Sequence, residues 1–126
     1  MSVVNCRVAN IRPRYKNLKE WTSDPENVYI GRAGVVFIDG VRFPLQHSPF
    51  ANPFKIDKDG TREEVITAYK IYMEDRLATE PELREQLVAL KDKNLGCWCA
   101  PERCHGDVLL ELIEKHFQRQ QRVTNT

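Results

Sequence analysis

From Val3 to Phe117 the chain alternates short β-branched runs with longer stretches of helical period, and that alternation orders the expected elements. Val3 to Ile11 (VVNCRVANI) has strand composition and is broken by Arg12-Pro13. Tyr15 to Asn27 follows neither period, with a turn at Asp24-Pro25. Asn27 to Arg32 (NVYIGR) predicts a short strand closing on glycine and arginine. In Gly34 to Phe43, Asp39-Gly40 between apolar runs is a strong hairpin signal. Pro44 to Phe54 (PLQHSPFANPF) is a proline-stiffened loop that fits either a pocket wall or a surface cover. After a turn at Asp57 to Gly60, Thr61 and Glu64 form a capping box. Val65, Ala68, Tyr69, Tyr72, Met73, Arg76 and Leu77 then share one helical face. Pro81 sits in the first turn of a second helix that buries Leu83, Leu87 and Leu90. Leu95 to Cys99 (LGCWC) predicts a buried strand stopped by Pro101. A last helix opens near Cys104, with Leu109, Leu112, Ile113, His116 and Phe117 at helical spacing.

A long helical connection between the second main strand and Leu95 to Cys99 implies a crossover to a parallel neighbour. The expected class is α/β, a small Rossmann-like sheet of three to five strands with an inserted β-hairpin and flanking helices. At 126 residues the chain supports one core, so residues 1–118 form a single domain and residues 119–126 a polar, fraying tail. In such sheets ligands sit outside the carboxyl ends of the strands, which brings Gly31 and Arg32 to the same edge as Cys99 to His105.

Charge narrows the choice of partners only slightly. A net charge of +1 gives no bulk attraction for nucleic acid or membrane, although Arg7, Arg12, Arg14, Lys16 and Lys19 form a local basic cluster that keeps nucleic acid as a secondary option. The sequence shows no signal peptide and no bilayer-length apolar run, so a cytoplasmic protein with no membrane partner is expected, in host cytoplasm or a virion if the source is viral. Oligomeric state leaves no trace in the pattern.

Three of the four cysteines fall between Leu95 and Asp107 (LGCWCAPERCHGD), with a histidine and a tryptophan. In a reducing compartment such clustered thiols act as ligands or reactive groups, whereas isolated Cys6 fits a small buried hydrophobe. Three accounts compete. In the first, Cys104 at a helix start is held partly as thiolate by the dipole and by Arg32 or Arg103, with His105 or Asp107 shuttling protons. Its substrate is a nucleotide-like or other anionic small molecule, drawn by unpartnered helix N–H groups and stacked on Tyr29 or Trp98. In the second, Cys97, Cys99, Cys104 and His105 bind zinc in a structural or interaction module without catalysis. The C-x-C and adjacent Cys-His spacings are cramped for that. In the third, Cys97 and Cys99 fill space while Cys104, His105 and Asp107 cap a helix. Haem attachment through C-x-x-x-x-C-H is weaker, since no export signal accompanies it. Enzyme and binding module both stay open. His116 fits a packed helix face, and His47 fits solvent.

The combination of VYIGR, SPFANPF, an acidic REEV helix and GCWCAPERCHGD over roughly residues 28–113 resembles an uncharacterised family of phages, large DNA viruses and bacteria, a domain of unknown function. The resemblance implies that its signature residues here are Gly31, Arg32, Ser48, Asn52, Pro53, Cys97, Cys99, Cys104, His105, Gly106 and Asp107, and it supplies no reaction. More loosely, the last motif is similar to Rossmann-like domains ending in Cys-His-Arg. Gly106 replaces that arginine, so an anion clamp has to draw on Arg32 or Arg103.

Overall fold

The computed structural model describes residues 2–99 and 102–124, with side chains through Gln120. Three parallel strands form the central sheet: β1 (Ser2–Asn5), β2 (Asn27–Tyr29) and β5 (Asn94–Cys97), in the order β1-β5-β2. The register pairs Val3 and Val28 with Leu95, and Val4 and Tyr29 with Gly96. Strands β3 (Val36–Ile38) and β4 (Val41–Phe43) make a separate antiparallel hairpin. Asp39 and Gly40 at its tip take φ of 53° and 77°, the positive values a primed two-residue turn requires.

The strands alternate side chains between two cores, as a pleated strand must. Val3, Val28, Ile30, Leu95 and Cys97 face one cluster, with Tyr69, Met73, Leu77, Leu87, Leu109 and Ile113. These come from α3 (Arg62–Thr79), α4 (Pro81–Val88) and α5 (His105–Thr124). Val4, Cys6 and Tyr29 face the other cluster, with Ile11, Leu18 and Trp21 from α1 (Val8–Ile11) and α2 (Leu18–Ser23) and with Phe43 of the hairpin. The α/β class, the parallel crossover and the inserted hairpin agree with the sequence pattern.

Three local expectations are corrected. The first strand ends at Asn5, and Val8–Ile11 is a helical turn. The Asn5 side chain accepts the Arg7 N–H at 3.1 Å, and the ladder to β5 closes at Cys6 N–H to Cys97 carbonyl, 2.9 Å. Val8 therefore faces solvent, and its β-branching has no strand partner to reward it. Residues 15–27 are not irregular: Asn17 caps α2 by accepting the Glu20 N–H at 3.0 Å, and Leu18 and Trp21 are buried. At the other end, the helix continues past Arg119 to Thr124, where a polar tail was expected. The strand stop assigned to Pro101 lies outside the described residues.

The remaining elements follow the pattern. Thr61 and Glu64 form both bonds of the capping box, and Pro81 opens α4. Phe50 plugs the core while its carbonyl accepts the Tyr69 hydroxyl at 2.6 Å, so the proline-rich loop is anchored from within.

Candidate functional site

A hollow of about 550 Å³ opens at the carboxyl edge of β2 and β5. Gly31, Arg32, Asn52, Cys97, Cys99, Arg103, Cys104 and His105, all singled out from sequence, line it. So do Lys55, Arg62, Phe54 and Ile56. The convergence of the segments around positions 32 and 104 is thus present.

Gly31 is glycine because Tyr29 folds back over it: an added Cβ would lie 2.3 Å from the tyrosine oxygen. That hydroxyl donates to the Arg32 carbonyl at 2.9 Å and accepts the Trp98 indole N–H at 2.8 Å. Tyr29 is therefore a buried brace and not the stacking platform expected of it. Ser48 donates its N–H to the Gly31 carbonyl at 3.0 Å, and its hydroxyl accepts from Phe50 N–H at 3.1 Å. It shapes the wall without lining the hollow. Asn52 is buried, accepts the Phe54 N–H at 2.9 Å and donates to the Val65 carbonyl, tying loop to helix.

The segment Cys104 to Asp107 resembles half of a capping box, with the carboxylate of the third residue reaching back to the Cys104 N–H and cysteine standing where serine or threonine is usual. Cys104 N–H donates to the Asp107 carboxylate at 2.9 Å, and the Gly106 N–H donates to the Cys104 sulfur at 3.3 Å. Asp107 N–H returns to the Cys104 carbonyl at 3.1 Å. These first-turn donors, expected to be open to an anion, are engaged within the helix itself. Gly106 lets α5 approach the sheet, since a Cβ there would sit 3.0 Å from Val3 and 3.2 Å from Ile30. Neither Gly106 nor Asp107 lines the hollow. Asp107→Ala is expected to lower stability by about 1 kcal/mol, read by urea denaturation.

Cys104 is 4% exposed and its thiol donates to the Cys97 sulfur at 3.5 Å. That bond, together with burial, pushes its pKa upward, so the site favours the thiol over the expected thiolate. Cys6 is 1% exposed, and burial pushes its thiol up to about 12, as befits a small core residue. Cys99 differs. It is half-buried at the hollow's wall, which Arg62 also lines.

The His105 Nε2 lies 2.8 Å from the Ile30 carbonyl, and the ring meets Tyr69 edge-on at 5.1 Å. A carbonyl only accepts, so Nε2 carries the proton of the neutral ring and Nδ1 is its acceptor. Burial, reinforced by the charge of Arg32, lowers the basicity of His105. The unfolded chain therefore binds the proton more readily, and the stability gained from the neutral ring is full above the ordinary value of 6.5 and lost as pH falls below it. His116, half-buried on α5, has the same sign for the same first cause. In a His116→Gln background, adding His105→Gln is expected to flatten the fall in stability between about pH 6.5 and pH 5, measured by chemical denaturation.

Among the described residues, no group of three or more His, Cys, Asp or Glu side chains is arranged to hold a metal ion. Of the set Cys97, Cys99, Cys104 and His105, Cys97 and Cys104 form a thiol pair, Cys104 also caps the helix, and His105 bonds the Ile30 carbonyl, while Cys99 stands at the hollow's wall.

Lys55 and Arg62 were not singled out from the sequence. A helix that follows a parallel strand starts at that strand's carboxyl edge, so Arg62, the first residue of α3, was a legible candidate. His47 is exposed and accepts the Ala33 N–H at 2.9 Å. No helix among the described residues is long and apolar enough to cross a membrane.

The chain is similar to an uncharacterised 12.4 kDa protein in the nrdA-td intergenic region of Enterobacteria phage T4, with 31% identity over 64 residues. The match covers 50% of this chain and 59% of that protein, so the chain spans somewhat over half the length of its relative. No solved structure matches. Residues 14–115, which include both strands at the hollow's edge and every signature residue around it, match the domain of unknown function DUF4326, and the chain belongs to that family.

Proposed function

We propose that the hollow binds an anionic small molecule of nucleotide type. The observation that carries this is the pairing of an uncompensated cation with apolar walls. Arg32 has no carboxylate partner among the described residues, whereas Arg62 pairs with Glu102 at 2.7 Å and Arg103 pairs with Glu63. Around these cations stand Phe54, Ile56, Val65 and the Trp98 indole, which suit a flat heterocycle. Asn52, also lining the hollow, is held by loop and helix. A volume of about 550 Å³ falls in the range that encloses a small ligand.

In this reading Cys99 is the thiol that meets the ligand, because Cys104 is packed against Cys97 and serves as a cap. Iodoacetamide on the native protein at neutral pH is expected to label Cys99 first, with Cys6, Cys97 and Cys104 reacting only on unfolding. Peptide mass mapping reads the order, and early labelling of Cys104 contradicts it.

The proposal is tested by thermal shift and calorimetric titration with inorganic phosphate, nucleosides and nucleoside monophosphates. A monophosphate that raises Tm, with a weaker effect from its nucleoside, supports it. No shift from any of these at about 100 times a micromolar Kd, where about 2.7 kcal/mol of stabilisation is due, overturns it.

A further inference from the structure

We propose a second site: the groove between the α1–α2 segment and the β3–β4 hairpin binds a single-stranded nucleic acid. The groove has a volume of about 970 Å³ and is separate from the hollow, with Trp98 as a wall common to both.

Charge is the first argument. Between Val3 and Lys19 the chain carries Arg7, Arg12, Arg14, Lys16 and Lys19 and no acidic residue, while acidic residues outnumber basic ones in the remainder. Folding gathers four of these cations, Arg7, Arg12, Lys16 and Lys19, along one groove, all exposed. None takes part in the ion pairs found among the described residues. The Arg12 guanidinium instead donates to the Lys16 carbonyl at 2.9 Å, which ties the connection between α1 and α2 into a fixed turn. Glu20 and Asp39 also line the groove, and the Glu20 carboxylate is held by the Lys16 N–H at 3.0 Å.

The second argument is aromatic. Phe37, on the hairpin side of the groove, is 65% exposed, with the Arg42 guanidinium 4.5 Å from its ring centroid. A large apolar ring held in water beside a row of cations gives unpaired bases a face to stack on while the cations follow the phosphates. Paired bases in a duplex are already stacked, so the aromatic element favours a single strand.

The test is fluorescence anisotropy of a labelled oligothymidylate of about 15 nucleotides, a length that spans one such groove, across about 50–200 mM salt. Affinity is expected to fall steeply with salt. Lys16→Glu with Lys19→Glu is expected to weaken binding at least about tenfold and to reduce the salt slope by about two. Phe37→Ala is expected to weaken binding about fivefold or more with the slope unchanged. All three positions are exposed, and thermal melting checks that the variants fold. Absence of binding at about 50 mM salt overturns the proposal. So does insensitivity to the paired lysine change, or an oligonucleotide affinity that Phe37→Ala leaves intact while heparin competes equally, which marks a surface for any polyanion.

Discussion

Gly96→Ala is expected to cost about 3 kcal/mol or more and to lower Tm by about 10 °C. Gly96 lies in the central strand, paired with Val4 on one side and Tyr29 on the other. A Cβ there would lie 2.5 Å from the Cys6 sulfur and 2.6 Å from the Trp21 ring. Neither neighbour can withdraw. Trp21 is 3% exposed, and its carbonyl accepts the Asn27 side-chain amide at 3.0 Å, fixing α2 against the start of β2. The sheet cannot shift either, because β5 is bonded on both edges. Strain of this kind is a sizeable fraction of the 5–15 kcal/mol that holds a typical domain together. Urea denaturation of the alanine variant beside Trp21→Leu/Gly96→Ala checks the cause. If the indole is the obstacle, the second change adds less damage than Trp21→Leu does in wild type.

Why Gly96 is a glycine was not legible in the sequence, and the reason is instructive. In LGCWC the alternation correctly indicates a buried strand, but it says nothing about what covers the even face. That cover is Trp21, and α2 looks irregular in the sequence because six residues are too few for a helical period to emerge. Its start was nonetheless marked by Asn17 and Glu20, the same acceptor-then-acid spacing that identified α3 at Thr61 and Glu64. Long elements and the crossover were readable because period and length reinforce each other there, and the rule about strand ends then placed Gly31, Arg32, Cys99 and His105 together. Within the Cys-His motif the residue types were more informative than their roles. Sequence spacing brings Cys104 and Asp107 to one helix turn, yet only three dimensions show the sulfur occupied by Cys97 and Gly106. That frees Cys99, the less conspicuous thiol, to face the hollow.

Arg32→Met is expected to weaken binding of a nucleoside monophosphate by about 10- to 100-fold, equivalent to one charge-assisted hydrogen bond. The protein is expected to stay folded, because Arg32 is held through its main chain: its carbonyl accepts from Tyr29, and the neighbouring Gly31 carbonyl accepts from Ser48. Arg103→Met is the contrasting change. Its guanidinium already pairs with Glu63 at an exposed surface, so its removal is expected to change affinity by less than about threefold. Arg32→Lys keeps the charge but loses the planar fork, and an intermediate loss is expected if a phosphate is gripped by two N–H groups. A second readout needs no ligand. The charge of Arg32 helps hold His105 below the ordinary imidazole range, so Arg32→Met is expected to move the His105 titration upward in an NMR pH series. An upward move with unchanged monophosphate affinity separates the two roles: Arg32 then faces the histidine without gripping the anion, and the ligand has to be sought at Lys55 and Arg62, which line the same hollow.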